Sequence, residues 1–149
     1  MMSGLNLPPA ELKIRQQKGK EFVFDRLRKQ YVRLTPEEWV RQHFIHYLIE
    51  YKQYPQGLLS NEVCIELGNV NRRCDTVLYD AFLQPRMIIE YKAASVDITQ
   101  ETFNQILRYN MCLNVSYLTI SNGLQHFCCH INGLNEYEFL KEIPDYSSL

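Results

Sequence analysis

The stretch from Met87 to Ile120 constrains the fold more than any other part of the chain. Met87-Ile88-Ile89 opens an apolar, β-branched run that reads as a buried strand reaching Lys92. Phe103, Ile106, Leu107 and Met111 then recur at helical spacing, with Asp97 or Thr99 as the cap. Val115 to Ile120 is a second strand, rich in β-branched and aromatic residues. A strand, a helix and a strand in succession form a crossover, which joins parallel strands. Upstream, Val63 to Leu67 and Cys74 to Tyr79 also read as strands, separated by a turn at Gly68-Asn69 with Asn71. With Met87 to Lys92 they make a three-stranded antiparallel meander. The expected architecture is α/β: a mixed sheet of meander, crossover helix and further strands, flanked by helices.

The clearest helix start is Leu34-Thr35-Pro36-Glu37-Glu38. Thr35 suits an N-cap, Pro36 the first helical position, and Glu38 sits three residues after the cap. Val40, Phe44, Tyr47, Leu48 and Tyr51 follow as an apolar stripe, ending before Tyr54-Pro55-Gln56-Gly57. His43 and His46 read as surface residues of this helix. Residues 1 to 20 read as a polar, basic arm, residues 21 to 143 as the core of a single domain, and residues 144 to 149 as a tail. Phe22-Val23-Phe24-Asp25 reads as a short strand. Arg26, Arg28, Lys29 and Arg33, with Tyr31 among them, are either a solvated face or a phosphate-facing patch. Asn122-Gly123 reads as a two-residue hairpin turn before a return strand, His126 to Ile131. Asn132-Gly133 turns again into the tail that starts at Leu134.

Side chains alternate along a strand, so Ile88, Glu90 and Lys92 share one face. A four-residue loop, Ala81 to Gln84, sets Asp80 opposite Pro85 and Asp75 opposite Glu90. Opposed residues project from the same face about 5 Å apart. A one-residue slip destroys the pairing. Two carboxylates that close repel by roughly 4 kcal/mol at an effective dielectric near 20. Lys92 offsets one charge. A divalent cation offsets both, and oxygen ligands suit Mg²⁺ or Mn²⁺. The competing reading is a solvated pair on a sheet edge with Lys92 as partner, against which the apolar Met87-Ile88-Ile89 argues. Glu38 likewise has two readings: a capping-box partner, or a third acidic group reaching the pair. Gln105 and Tyr109 stand four apart on one helix flank, where they either face solvent or hold phosphate or water near a cleft.

The net charge of −1 supplies no global attraction to nucleic acid, so any such contact rests on a local patch or a bound metal. No apolar run approaches 18 residues and no signal-type apolar core opens the chain, so the expected setting is cytoplasmic, without a membrane. The five cysteines are Cys64, Cys74, Cys112, Cys128 and Cys129. Their odd number and the lack of C-x-x-C argue against a disulfide framework. Cys128-Cys129 point to opposite faces of a strand and make poor joint zinc ligands.

Five motifs occur in order: Leu34-Thr35-Pro36-Glu37-Glu38-Trp39-Val40-Arg41-Gln42, Arg73-Cys74-Asp75, Ile89-Glu90-Tyr91-Lys92, Gln105-Ile106-Leu107-Arg108-Tyr109-Asn110 and Ser121-Asn122-Gly123. Asp on the second meander strand, Glu-x-Lys on the third and a helix after them resemble the PD-(D/E)XK nuclease superfamily. From about Leu5 to Ile131 the chain is similar to the N-terminal nuclease domain of type I restriction enzyme R subunits. The resemblance implies a restriction-endonuclease-like fold and Mg²⁺-dependent hydrolysis of DNA phosphodiester bonds, with Mn²⁺ as a substitute. It makes Asp75 and Glu90 the metal-binding pair, Lys92 the catalytic lysine and Glu38 a first-helix glutamate of the site. Gln105 and Tyr109 match a Q-x-x-x-Y motif near the active site and DNA, and Arg73 joins them in orienting the backbone. The implied partners are DNA and other restriction-system subunits in trans, with a homodimer left open. Cys74 stands where the superfamily name has proline. The chain has no G-x-x-x-x-G-K-[ST] loop, so ATP-driven translocation is not expected of this polypeptide by itself. The alternative expectation is a non-catalytic nucleic-acid-binding or assembly module of a restriction or defence system.

Overall fold

The computed structural model describes residues 4–111, 113–133 and 136–149, so the readings made on Cys112 and Leu134 lie outside the described residues. A six-stranded mixed sheet runs through the centre, with strands β4 (Leu59–Leu67), β5 (Val70–Tyr79), β6 (Pro85–Tyr91), β7 (Tyr117–Ser121), β8 (His126–Ile131) and β9 (Tyr137–Phe139) in sequential spatial order. Among the described residues only β6 and β7 pair in parallel, with Met87 opposite Tyr117 and Tyr91 opposite Ser121. Helix α2 (Gln100–Met111) makes the crossover between them. Thr99 is its cap: its hydroxyl accepts the Thr102 N–H at 3.2 Å. The expected α/β architecture is the one observed.

Each face of this sheet carries its own core. On one side helix α1 (Pro36–Tyr51) packs Val40, Phe44 and Leu48 against Leu78, Met87, Ile89 and Tyr91. On the other, Phe103 and Leu107 of α2 pack against Val77, Ile88, Leu118 and Ile120. Cys128 and Cys129 belong to opposite cores, as strand alternation requires.

The expected arm is a folded element. Strands β1 (Ile14–Gln17), β2 (Lys20–Asp25) and β3 (Gln30–Arg33) form a separate antiparallel sheet beside α1. Helix α1 is buried well beyond a stripe: Arg41, Gln42, His43 and Ile45 are all enclosed. His43 is not a surface residue, and its Nδ1 lies 2.8 Å from the Trp39 carbonyl. Tyr51, assigned to the apolar stripe, is exposed.

Two turns differ from expectation. The β5–β6 loop holds five residues, with Tyr79 rather than Asp80 opposite Pro85. Asp80 closes that loop instead, its Oδ1 accepting from Phe82 N at 2.8 Å and Gln84 N at 3.0 Å. A bulge beside Leu78 then restores the expected register, with Leu78 opposite Met87 and Thr76 opposite Ile89. Between β7 and β8 the loop has four residues, because Ser121 faces His126. Asn122 builds it as an Asx turn, its Oδ1 accepting from Leu124 N and Gln125 N. Gly123, at φ +87°, abuts Leu5 and Val40, and its carbonyl accepts from Asn6 N at 2.8 Å.

Candidate active site

Asp75 lies where the sheet's hydrogen bonding lapses on both sides. Toward β4, the pairs Asn61–Thr76 and Val63–Cys74 flank it, and the residue between them, Glu62, is left-handed at φ +57°. Toward β6, pairing stops at Thr76–Ile89. Cys74 and Val77, three apart, both face the α2 core, so side-chain alternation breaks here as well. The freed backbone groups find other partners. The Asp75 N–H donates to Glu90 Oε2 at 3.3 Å, and the Tyr91 N–H donates to Asp75 Oδ2 at 2.9 Å. The Asp75 carbonyl accepts from Arg41 Nη1 at 2.8 Å. Each carboxylate thus stands in for a missing rung on the other strand. The two groups are brought together, but through these carboxylate-to-amide bonds and not as the directly opposed pair expected, since the ladder stops at Thr76–Ile89.

That proximity is electrostatically expensive. Burial, the Asp75 charge and the hydrogen-bonded Asp75 carboxyl push Glu90 up to about 9. The same two carboxylates, added to burial, raise the Cys74 thiol. Asn110 of α2 reaches the Glu90 carboxylate from the crossover side. It is almost fully buried; its Nδ2 donates to the Ile106 carbonyl at 2.9 Å, while its Oδ1 is a buried acceptor with no hydrogen-bond partner among the described residues.

A cleft of about 400 Å³ opens over Asp75, lined also by Glu38, Arg41, Glu62, Tyr91, Arg28 and Arg33. Glu38 shares this cleft, but its carboxylate is engaged. Oε1 accepts from Arg28 Nη2 at 2.9 Å and Arg41 Nη2 at 2.8 Å, and Oε2 from Arg41 Nε at 3.0 Å and Gln42 Nε2 at 2.9 Å. Of the capping box only half forms: Thr35 Oγ1 accepts the Glu38 N–H at 3.1 Å. Arg41 is the hub. Burial disfavours its cation, yet bonds from Glu38 and Glu62 hold its pKa above the ordinary value. Glu62 continues the chain to Arg73, whose Nε donates to Glu62 Oε2 at 2.9 Å from an exposed position.

Behind Asp75 a second buried chain runs to the small sheet. Tyr91 Oη donates to Thr76 Oγ1, Thr76 Oγ1 to Asn61 Oδ1, and Asn61 Nδ2 to Asp25 Oδ2. Asp25 is also gripped by Arg28. Although burial opposes its charge, these bonds hold the Asp25 carboxyl below its ordinary range. Arg26 and Arg28, read from sequence as basic surface, are taken up internally: Arg26 by Glu50 and Gln56, Arg28 by Asp25 and Glu38.

Lys92 follows β6 directly, with its backbone N–H bound to the Ser121 carbonyl at 2.9 Å. Gln105 and Tyr109 are exposed on α2, and the Arg72 guanidinium lies 4.3 Å from the Tyr109 ring centroid. Sequence reasoning missed Arg41, Glu62, Asn61, Thr76, Asp25 and Asn110 as parts of the site. Arg41 and Asn110 stood inside quoted motifs, and that was the available signal.

Among the described residues, no group of three or more His, Cys, Asp or Glu is placed to hold a metal ion. The two carboxylates still suit a hard divalent cation, because Mg²⁺ is commonly held by one or two carboxylates, with water and substrate phosphate completing its shell. Burial first, and the neighbouring Asp75 charge second, disfavour the Glu90 carboxylate, and a cation between the two groups would offset both.

A family profile described as the type I restriction enzyme R protein N terminus matches residues 36–144. No curated protein matches the chain.

Proposed function

The chain belongs to the type I restriction enzyme R protein N-terminal family, and on that premise we propose that it is a metal-dependent DNA nuclease of the PD-(D/E)XK type. The observation carrying this reading is the Asp75–Glu90 pair, joined across β5 and β6 by two carboxylate-to-amide hydrogen bonds at a break in the sheet. These carboxylates would hold Mg²⁺ or Mn²⁺. Bound there, the cation supplies charge neutralisation and Lewis-acid polarisation of a phosphate oxygen. Lys92, fixed through its backbone at the end of the Glu90 strand, balances negative charge developing on the phosphate. Gln105, Tyr109 and Arg73 present exposed polar groups that orient the DNA backbone, so recognition is of phosphate and sugar rather than base edges. Glu38 acts indirectly, holding Arg41 so that Arg41 holds the Asp75 backbone.

The test is cleavage of linear, supercoiled and single-stranded DNA with Mg²⁺ or Mn²⁺, comparing wild type with Lys92→Ala after circular dichroism shows both folded. Cutting by the wild type alone is the expected result. No cutting by either protein, with no heat on cation titration, sinks the stand-alone nuclease. A second reading is a non-catalytic DNA-binding or assembly module working with other restriction subunits in trans. It is favoured by the full engagement of the Glu38 carboxylate, which leaves two acidic groups for a metal. Such a module holds DNA without cutting it, whether or not Mg²⁺ or Mn²⁺ is present.

A further inference from the structure

We propose that the outer face of the small N-terminal sheet is a docking surface for the phosphate backbone of duplex DNA, leading into the Asp75 cleft. Residues 13–33 hold eight of the sixteen Lys and Arg side chains but only two of the seventeen Asp and Glu. Eight against two makes +6; the remaining eight against fifteen makes −7 for the rest of the chain. Half the basic residues therefore sit on one small element of a chain whose net charge is −1. The matched family region begins at residue 36, after this sheet, and assigns it nothing.

The register sorts these charges by face. Arg15 pairs with Phe22 and Phe22 with Arg33; Phe24 pairs with Tyr31, and Gln17 with Lys20. Alternation puts Arg15, Lys20 and Arg33 on the face of Phe22, Phe24 and Tyr31. The two acidic residues, Glu21 and Asp25, fall on the opposite face with Val23, and both Val23 and Asp25 are wholly buried. Lys13, Arg15, Lys20 and Arg33 are exposed, and none of the four is in an ion pair among the described residues.

The aromatic rings pre-organise the cations. The Arg15 guanidinium lies 3.7 Å from the Tyr31 ring centroid, and the Lys13 ammonium 5.5 Å from that of Phe24. Rings so covered are not open platforms for unstacked bases, as single-strand binding needs. The face offers positive charge held in place, which suits the regular phosphates of a duplex. Arg33 also lines the cleft over Asp75, so the cationic face is continuous with the candidate active site. The inference rests on the DNA reading of that site.

The experiment is fluorescence anisotropy with a labelled duplex in EDTA, where no cleavage intervenes, from 50 to 200 mM salt. Each lost phosphate contact removes about 0.9 from the salt slope, or about 3.5-fold in affinity over that window. The quadruple Lys13→Gln, Arg15→Gln, Lys20→Gln, Arg33→Gln should therefore lose about 150-fold less affinity across the window than wild type, while binding more weakly at 50 mM. Lys13→Gln with Lys20→Gln, the gentler pair, should show about 12-fold less. Arg15→Lys with Arg33→Lys should keep the wild-type slope. Variants that are folded by circular dichroism yet keep the wild-type Kd and slope overturn the proposal. So does a wild type that ignores duplex at 50 mM salt, or that prefers polyglutamate or single-stranded DNA. Asp75→Asn separates the two claims, since it should retain EDTA binding while losing cleavage. Salt-sensitive binding through these cations without any cutting refutes the nuclease alone; cutting that is indifferent to them refutes the surface alone.

Discussion

Arg41→Met tests the claim that a buried arginine holds the site together. Arg41 is 7% exposed and Glu38 5%. Its guanidinium makes four hydrogen bonds: two to Glu38 at 2.8 and 3.0 Å, one to Glu62 at 3.0 Å and one to the Asp75 carbonyl at 2.8 Å. Methionine fills much of the same volume and supplies none of them. Glu38 keeps Arg28 and Gln42 but loses half its donors while remaining buried. Breaking one side of a buried ion pair costs about 3–5 kcal/mol. With a urea slope near 2 kcal/mol/M, the unfolding midpoint should fall by about 2 M. Adding Glu38→Gln removes the charge left uncompensated, so the double variant should be about 2 kcal/mol more stable than the sum of the single losses. The Asp75 carbonyl also loses its donor, and Mn²⁺ affinity by calorimetry should drop about 10- to 100-fold, as for other residues that support a metal ligand. A loss under about 1 kcal/mol, or additivity within about 0.5 kcal/mol, would refute the hub.

Other predictions concern the carboxylate pair and one turn. Asp75→Asn should abolish Mn²⁺ heat and bring the Glu90 pKa, followed by carboxyl NMR, down toward its ordinary 4.5; an unmoved Glu90 would mean that burial alone sets it. Because the folded pKa of Glu90 is raised, its proton stabilises the cation-free protein fully below pH 4.5, and that contribution is lost as pH rises toward about 9. Urea unfolding across that window should show stability falling with pH, a slope that Glu90→Gln or added Mg²⁺ flattens; a flat wild-type profile contradicts the electrostatics. Gly123→Ala places a Cβ 2.7 Å from Leu5 Cδ2 at φ +87° and should cost about 1–3 kcal/mol in thermal unfolding. Pairing it with Leu5→Ala relieves the contact but not the backbone strain, so only part of the loss should return.

Much of the large sheet was legible because its signals are local. The β6–α2–β7 crossover follows from an apolar, β-branched run giving way to helical spacing and then to a second β-branched run, and the strands, buried on both faces, serve the two cores. The nearness of Asp75 and Glu90 was also legible, but by compensation and without the direct ladder pair expected. The loop is one residue longer than expected, and the bulge beside Leu78 restores the count. The small sheet was legible only as one short strand, since Lys, Arg and Gln at alternating positions do not distinguish a strand from an arm.

What the tertiary structure decided is the environment of the polar residues. Arg41 and His43 have the composition of a solvent-facing helix flank, yet both are buried, Arg41 against Glu62 and the Asp75 backbone of the large sheet. Glu38 and the Trp39 carbonyl are local partners of these two, but the rest of the network is far away in sequence. Arg41 reaches Glu62 across 21 residues and Asp75 across 34, and Asn61 reaches Asp25 across 36. The left-handed Glu62 opposite Asp75, which interrupts the ladder and frees the Asp75 backbone for Arg41 and Glu90, has no turn residue to announce it. Periodicity is a property of neighbours along the chain, so by itself the sequence determined both helices, the strands from β4 to β8 and the main apolar stripe of each helix. A buried charge is stable only when its counter-charge arrives through space, and that pairing exists only once the two sheets and α1 have come together.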